Sequence, residues 1–342
     1  MRTLKSITTL FLLLTLLLSG CAGGGSGSAD SSVGTTTRPA VEDKPISVVA
    51  TVFPAYDWAR QILGADNDRV ALTLLLDKGS DLHSYQPTVE DIYKVSTCDL
   101  FIYVGGESER WVPDALKQAT NENMTVICLM DVLGSAVKEE KPLEGMETEE
   151  EEGEDEDAGP EYDEHVWLSL RNAEILCDAI REKLIACDPA GKAAYSANCA
   201  AYAEKLHRLD AAFIQAVSNA ERNTLLFADR FPFRYFADDY NLTCYAAFQG
   251  CSAETEASFE TVNFLVGKLD ELALPYVMTL EQSDCRLADT VIENSKAKTA
   301  RILELNSLQS VTAAGVEEGV SYLGVMEQNL EVLKTALGTK AP

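Results

Sequence analysis

The sequence predicts an α/β protein of two Rossmann-like lobes, each built on a parallel sheet, with a long backbone helix between them. Short apolar runs alternate with helical patterns in both halves of the chain, a rhythm typical of parallel strands joined by crossover helices. One uninterrupted helical pattern separates the two halves. The chain has 342 residues and an apolar fraction of 46%, which is sufficient for two buried cores. We expect an N-terminal lobe over 46–187 and a C-terminal lobe over 222–342.

Each predicted strand is a run of apolar residues bounded by turn-forming residues. In the first half these runs span 46–52, 70–76, 100–104 and 126–129, with helical patterns over 56–63 and 89–96. In the second half they span 225–228, 243–248, 277–280 and 302–305, with helical patterns over 259–271 and 325–337. A further short strand is predicted at 165–169.

The linking helix is predicted over residues 188–221. Asp188 followed by Pro189 is a typical helix start, with an N-cap aspartate and a proline at the first helical position. Apolar residues then recur every three or four positions from Tyr195 to Val217, which draws one buried stripe. Such a helix spans roughly 50 Å, so we expect it to form a spine that joins the lobes.

The N-terminus carries the pattern of an exported chain. Two basic residues precede an apolar run over 7–18, which has the length of a signal-peptide core and is short of the roughly 20 residues of a membrane span. The run ends in Leu18-Ser19-Gly20-Cys21, which resembles a bacterial lipobox and implies a lipid on Cys21. We therefore expect a signal peptide over 1–20 and a flexible, Gly- and Ser-rich tether over 21–45.

The charge of the chain excludes some partners and marks one insert. The formal net charge is −27, and about half of it comes from residues 136–164, which hold 15 acidic residues against two lysines. Such an acidic chain repels nucleic acid and anionic lipid. The stretch 136–163 has no periodicity and is expected to be a disordered insert in the N-terminal lobe. Its composition suits either a cation-concentrating or a merely solubilising role.

Eight cysteines lie along the chain besides Cys21. None of their spacings forms a Cys-x-x-Cys pair, so a thiolate zinc site is not expected from the sequence. Their pairing stays open, because exported chains form disulfides, whereas apolar surroundings such as those of Cys128 also suit buried free thiols.

Histidine is scarce, so each of the three histidines is a defined candidate. His83 follows a predicted parallel strand, and loops at the carboxyl ends of such strands bind ligands in α/β folds. His165 follows Asp163 and Glu164, and an imidazole beside carboxylates is a common metal environment. For both, an ordinary loop or strand-edge histidine is the alternative. His207 lies off the apolar stripe of the long helix and is expected to be solvated.

Three segments, taken in order, resemble the metal-binding lipoproteins of zinc and manganese ABC importers, the cluster A-I solute-binding proteins. His83-Ser84-Tyr85-Gln86-Pro87-Thr88 is similar to the family segment His-x-[Tyr/Phe]-x-Pro-[Thr/Ser]. Asp163-Glu164-His165-Val166-Trp167-Leu168-Ser169 is similar to Asp-x-His-x-Trp-Leu-[Ser/Asp], and Phe233-Arg234-Tyr235-Phe236 begins a segment similar to the family's Phe-x-Tyr-Phe helix. The resemblance covers essentially residues 46–337 and implies one metal ion between two lobes.

The resemblance implies four protein ligands. The first two motifs assign His83 and His165. The third ligand in the family is a histidine or glutamate just before the Phe-x-Tyr-Phe segment. In this chain strict register places Arg230 there, which cannot coordinate a cation, so Asp229 is the expected ligand. The fourth ligand is an aspartate in a loop after a C-lobe strand and is expected to be Asp284.

Three glutamates are alternatives to these carboxylates. Glu281 stands behind Asp284 as the fourth ligand, because it lies in the same loop. Glu254 and Glu256 are outside candidates, and their more ordinary role is as negative charge near a helix N-terminus.

Two imidazoles and two carboxylates suit Zn(II), Mn(II) or Fe(II). The absent third histidine favours manganese. The family as a whole, and an insert at the position where zinc members carry one, favour zinc. We expect zinc, with manganese as the alternative.

The sequence thus predicts an extracytoplasmic, monomeric lipoprotein, anchored to a bacterial membrane, that delivers a metal to an ABC permease and its ATPase. Four protein ligands leave no fixed water to activate, so the chain is not expected to be an enzyme. A zinc-dependent hydrolase and a surface adhesin are the alternatives. A haem or corrinoid carrier would need an apolar cleft instead of a histidine pair.

Overall fold

Two four-stranded parallel sheets form the framework of the chain. The computed structural model describes residues 44–65, 67–147, 160–252 and 256–340. Cys21, the predicted signal peptide and the tether up to residue 43 lie outside the described residues. Both sheets lie where the alternation of apolar runs predicts them, and the two-lobed α/β class is confirmed.

The N-terminal lobe contains the strands β1 to β4 in the order β2-β1-β3-β4, all parallel. The strands are β1 (Ile46–Ala50), β2 (Val70–Leu74), β3 (Leu100–Tyr103) and β4 (Thr125–Cys128). The helices of this lobe are α1 (Phe53–Leu63), α2 (Val89–Thr97), α3 (Val112–Lys117), α4 (Leu129–Leu133) and α5 (Leu170–Cys187).

The C-terminal lobe repeats this plan after the helix α6 (Lys192–Ser218), with strand order β6-β5-β7-β8. Its strands are β5 (Thr224–Phe231), β6 (Thr243–Gln249), β7 (Tyr276–Thr279) and β8 (Arg301–Glu304). Its helices are α7 (Arg234–Asp239), α8 (Phe259–Glu271), α9 (Arg286–Asn294), α10 (Ala313–Glu317) and α11 (Tyr322–Leu337).

Each sheet has a switch point at its centre. The chain moves from β1 outward to β2 and then crosses to β3, and in the second lobe it moves from β5 to β6 and crosses to β7. The loops that leave such neighbouring strands diverge and open a crevice at the carboxyl ends of the strands. Ligands are therefore expected at the carboxyl ends of the strands, around β1 and β3 in one lobe and around β5 and β7 in the other.

The helix α6 is the spine that the apolar stripe predicts. Its 27 residues span about 40 Å, and it packs against α1, α5 and α11. It begins at Lys192 and not at residue 188, because Pro189–Gly191 forms a 3-10 turn. Asp188 accepts a hydrogen bond from Tyr195 Oη at 2.5 Å and pairs with Arg69 at 2.8 Å, so the turn is tied to the start of the helix.

A continuous apolar core joins the two lobes. Trp58 of α1 stacks edge-on against Tyr322 of α11, with ring centroids 5.2 Å apart. Tyr322 Oη donates to the Trp167 carbonyl at 2.6 Å, and Trp167 Nε1 donates to the Ser307 carbonyl at 2.9 Å. All three aromatic side chains are buried, so the Tyr322 hydroxyl and the Trp167 indole N–H are satisfied by backbone carbonyls and not by solvent.

The first part of the acidic insert is ordered, which corrects the prediction of disorder over 136–163. Residues 138–147, which we call the strap, cross from the N-terminal lobe to β6 and α8. Glu139 bridges Tyr162, and Glu147 N donates to the Ala247 carbonyl at 2.8 Å. The Glu147 carboxylate accepts hydrogen bonds from Ser258 N and Thr261 Oγ1 at 2.9 and 2.7 Å. The acidic composition predicted that the segment would repel itself and stay disordered. Instead, Glu147 accepts hydrogen bonds from N–H and O–H donors that are distant in sequence. Residues 148–159 lie outside the described residues.

The segment 165–169 is not a strand, which corrects a second prediction. Val166–Leu168 forms a 3-10 turn, and Ser169 caps α5 by accepting from Asn172 N. The turn is apolar because it is buried between lobes, a burial that an apolar run alone does not distinguish from that of a strand.

The structure answers the question of cysteine pairing, and it also shows whether a described helix could cross a membrane. All eight cysteines from Cys98 to Cys285 are free thiols. Over the described ranges, no helix combines the length and apolarity that a membrane crossing requires.

Tyr322→Phe tests the bond between the lobes. It removes one buried hydroxyl and leaves the Trp167 carbonyl without its donor, so we expect the free energy of unfolding to fall by about 1–3 kcal/mol. Urea denaturation of the metal-free chain measures this. Tyr93→Phe is the matched control, because Tyr93 is 67% exposed and its variant should stay within about 0.5 kcal/mol of the parent. Equal effects of the two substitutions would contradict the account.

Glu109→Gln tests a buried carboxyl. Burial raises the pKa of Glu109 to about 7, although Gly105 N donates to it at 2.7 Å. Because the folded pKa lies above the unfolded one, the folded state loses stability relative to the unfolded state as pH rises from about 4.5 to 7. The loss should reach about 3 kcal/mol.

The glutamine variant should lack this loss. Its unfolding free energy, relative to the parent, should therefore rise between about pH 4.5 and pH 8 and stay constant below that window. Denaturant melts of both metal-free chains across this range measure the difference. A difference that does not change with pH would show that Glu109 titrates normally.

Candidate metal centre

Two imidazoles face each other between the lobes. His83 lies in a 3-10 turn, Leu82–Ser84, after β2, and Asp81 caps this turn by accepting from His83 N. His165 lies just before the turn Val166–Leu168 and is fully buried. The Nε2 atoms of the two histidines are 3.0 Å apart. The structure thus brings together the two histidines that the sequence singled out.

Each ring is oriented through its other nitrogen. Nδ1 of His165 donates to Asp163 Oδ1 at 3.0 Å, and the same oxygen accepts from His165 N at 2.8 Å. Nδ1 of His83 lies 2.7 Å from Ser108 Oγ, which accepts from it in the tautomer that leaves Nε2 with a lone pair. Two lone pairs then point at each other across 3.0 Å. Only a proton or a cation between them makes this arrangement favourable.

The protonation of the pair is set by burial and by neighbouring charges. Burial, together with the neighbouring His165, lowers the pKa of His83 to about 3. Burial also opposes ionisation of His165, but the Asp163 carboxylate, followed by Glu140 and Asp81, outweighs it and raises the pKa of His165. His83 is therefore a neutral imidazole at neutral pH, the form that binds metal.

Carboxylates surround the imidazoles. Glu164 is buried, accepts from Ser108 N at 2.8 Å, and leaves Oε2 without a hydrogen-bond donor 3.6 Å from His83 Nδ1. Glu140 of the strap accepts from Gly250 N at 3.2 Å, and burial next to Asp163 raises the pKa of Glu140 to about 7. This concentration of acids attracts a divalent cation.

Two arginines balance part of this charge. Arg230 Nη2 lies 2.7 Å from Asp81 Oδ2, and Arg234 Nε lies 3.5 Å from Asp163 Oδ2. The Asp81–Arg230 pair joins the loop after β2 to the end of β5, so it connects the lobes beside the histidines. Burial opposes ionisation of Asp81, but the neighbouring His83, which also donates its backbone N–H, and the Arg230 guanidinium hold the pKa of Asp81 below its ordinary value.

The two predicted carboxylate ligands lie on the wall of the same cleft. This cleft of about 640 Å³ is lined by His83, Asp229, Asp284 and Cys251, among other residues. Asp229 accepts from its neighbour Arg230 N at 2.8 Å and from Leu280 N at 3.1 Å. Asp284 is 63% exposed and pairs with Arg286 at 3.1 Å. In this conformation both carboxylates serve backbone or surface contacts, so their assignment as ligands stays a prediction.

The structure gives Glu281 and His207 contacts away from the histidine pair. Glu281 accepts hydrogen bonds from Ser307 N, Ser307 Oγ and Gln309 N at 2.7 to 3.2 Å, so it holds the C-lobe loops together. Glu254 lies outside the described residues. His207 pairs with Glu174 at 2.7 Å and is 60% exposed, which confirms that it is a solvated histidine.

Cys251 is the residue that sequence reasoning missed. Among the described residues, one potential ligand atom each of His83, His165 and Cys251 lie within 4.8 Å of one another. Cys251 follows β6, and Gly250 allows the approach, because a Cβ there would lie 2.9 Å from His165 Cε1. No cysteine spacing reveals this site. The usable signal was the position of Cys251 at the carboxyl end of a predicted parallel strand.

The geometry of the pair suits a tetrahedral ion. Zinc–nitrogen bonds of about 2.0–2.1 Å place two imidazole nitrogens about 3.3–3.4 Å apart at a tetrahedral angle. The observed 3.0 Å needs only a few tenths of an ångström of opening. The buried, oriented imidazoles and surrounding acids are therefore able to hold one divalent metal ion.

The sequence is similar to proteins whose names describe zinc binding or zinc uptake. The family described as ZnuA, zinc-uptake complex component A periplasmic, matches residues 48–336. The zinc-binding lipoprotein AdcA of Streptococcus pneumoniae is 32% identical over 305 residues, which cover 88% of this chain and 57% of AdcA. The chain thus spans just over half the length of the AdcA relatives that it matches.

Two further comparisons cover the whole lobed region. The high-affinity zinc uptake system protein ZnuA of Bacillus subtilis is 29% identical over 329 residues, 95% of each chain. The crystal structure of the Zn(II)-bound ZnuA-like domain of S. pneumoniae AdcA superposes with a TM-score of 0.66 at 28% identity, covering 86% of this chain and 99% of that domain. Because the family match extends over most of the chain, this protein belongs to the ZnuA family of zinc-uptake components.

Proposed function

We propose that this chain is an extracytoplasmic lipoprotein that captures one Zn(II) ion between its lobes and delivers it to the permease of an ABC importer. The observation that carries the proposal is the pair of oriented imidazoles, His83 and His165, whose Nε2 atoms face each other at 3.0 Å. A metal ion shared by the two Nε2 atoms would use the orientation of both rings toward one point.

The surroundings of the pair favour capture of a cation. The Asp163 carboxylate holds His165 by its Nδ1, an arrangement that raises the basicity of a metal-binding imidazole. Glu164 adds a buried carboxyl and Glu140 a half-buried one beside the imidazoles. A divalent ion would replace a repulsion between these acids with attraction, so binding should be tight.

The cleft that His83 lines also has Asp229 and Asp284 on its wall. A carboxylate from this wall would complete the site when the cleft closes on the ion. The zinc-binding relatives favour Zn(II) as the cargo, and manganese is the alternative. A site filled by protein ligands leaves no coordinated water, so the chain acts as a carrier and not as an enzyme.

The lipid on Cys21 would hold this carrier at the membrane. The predicted segment over 21–45, which is rich in glycine and serine, would join the lipid to the lobes. We further propose that the chain works as a monomer, with the permease and its ATPase as partners. No contact among the described residues favours an adhesin or a hydrolase over the proposed carrier function.

Removing either imidazole should abolish tight binding. We expect the full-length chain to hold one equivalent of zinc, and His83→Ala and His165→Ala each to weaken binding at least about a hundredfold, since even outer-shell changes cost up to that much. Metal analysis after dialysis, and competition with a chelator, measure the loss.

His207→Ala is the matched control for this experiment. This surface histidine pairs only with Glu174 among the described contacts, so its variant should bind zinc like the parent. Retention of one tightly held equivalent by both His83→Ala and His165→Ala would overturn the site and, with it, the proposed function.

Asp163→Asn tests the orientation of His165. The amide keeps the size of the side chain but loses the charge beside Nδ1, so we expect zinc affinity to fall by about 10- to 100-fold. Calorimetric titration with zinc measures the affinity, and a thermal melt of the metal-free variant checks that the fold is intact. Unchanged affinity in a folded variant would mean that Asp163 serves the fold only.

A further inference from the structure

The proposed site lacks a clear third ligand among the predicted carboxylates. Asp229 accepts two backbone hydrogen bonds, from Arg230 N at 2.8 Å and Leu280 N at 3.1 Å. Both carboxylate oxygens of Asp229 are therefore engaged by backbone N–H groups in this conformation. Arg230, at the register position of the family's third ligand, is a cation paired with Asp81.

Cys251 offers a donor atom that is already close to the imidazoles. Its Sγ and one ring nitrogen each of His83 and His165 lie within 4.8 Å of one another. A tetrahedral zinc with a Zn–S bond of about 2.3 Å and Zn–N bonds of about 2.0–2.1 Å places sulfur about 3.6 Å from each nitrogen. Closing the difference takes at most about 1.2 Å of movement, which a side-chain adjustment can supply.

The backbone around Cys251 is built to bring it there. Cys251 follows the end of β6, and Gly250 lies against the His165 ring, where a side chain would meet His165 Cε1 at 2.9 Å and the Phe231 carbonyl at 3.0 Å. Gly250 N also donates to Glu140 Oε1 of the strap at 3.2 Å. The loop is therefore held against the histidine pair by a contact that no bulkier residue allows.

The protonation state of the Cys251 thiol would change when a metal binds. Burial, and then the charges of Glu140, Glu164 and Asp163, raise the pKa of the Cys251 thiol far above its usual range. In the metal-free chain it is thus an uncharged thiol and not a reactive thiolate. A zinc ion bound to the imidazoles would reverse this balance, because a coordinated thiol is deprotonated outright.

We propose that Cys251 is the third protein ligand of the captured ion, so that the site is a His-His-Cys site completed by a carboxylate of the same cleft. This inference rests on the proposed function. On binding, the Cys251 S–H bond breaks, its proton leaves to solvent, and a metal–sulfur bond forms with no change of oxidation state. Thiolate is a soft ligand that suits zinc and suits manganese poorly, so Cys251 would also bias the site toward zinc.

Cobalt(II) substitution reads out the sulfur directly. We expect the reduced, full-length chain loaded with one equivalent of Co(II) to show a sulfur-to-cobalt charge-transfer band in the near ultraviolet. Cys251→Ser should lose this band and lose at least about tenfold of its preference for Zn(II) over Mn(II) in a competition assay, while Cys187→Ser should keep both. Cys187 is a suitable control, because its half-buried thiol lies near Asp99 and Thr125 at the opposite, amino-terminal edge of the sheet.

A second readout needs no variant. The unmodified, reduced chain loaded with one equivalent of ¹¹³Cd(II) should give a cadmium NMR resonance in the downfield range of sites that contain a thiolate, which nitrogen and oxygen ligands alone do not reach. If the chain binds one Co(II) without the charge-transfer band, and bound cadmium resonates in the range of sites without sulfur, then the ligand assignment is wrong and the proposed carrier function stands. If the chain binds no metal at all, the proposed function falls and this inference falls with it.

Discussion

The rest of the site depends on the approach of two imidazole nitrogens to 3.0 Å in a buried place. With Nδ1 of each ring bonded to Asp163 or to Ser108, both Nε2 atoms can present a lone pair, and a proton or a metal ion between them satisfies both. Asp163 and Ser108 keep the rings from turning away. The arrangement thus favours a positive charge at one point between the rings, and the surrounding carboxylates strengthen this preference.

The architecture places this point between two lobes whose relative position is held by several links. The helix α6 and the Trp58–Tyr322–Trp167 contacts form one continuous core behind the site. In front of it, the strap reaches β6 and α8, and Asp81 pairs with Arg230 across the cleft. The apolar core behind the site and the polar contacts in front of it together hold the two lobes around the histidine pair. The acidic strap is then part of the site's frame as well as a source of charge.

Local patterns predicted most of the fold, because parallel strands and an amphipathic helix each leave a periodic mark in sequence. The helix 259–271 and the stripe of α6 agree with the structure. The segment 165–169 does not, since an apolar run shows burial but not backbone conformation. His83 and His165 were found through short motifs. Cys251 and the ordered strap depend on contacts with residues distant in sequence, and neither spacing nor composition encodes such contacts. Asp229 and Asp284 stay predictions.

The most direct measurement is X-ray absorption spectroscopy of the full-length chain loaded with one equivalent of zinc. The account predicts two imidazole nitrogens in the first coordination shell at about 2.0–2.1 Å, with the multiple-scattering pattern of histidine rings, and one sulfur at about 2.3 Å. A shell that contains fewer than two imidazoles would contradict the claim that the ion lies between His83 and His165.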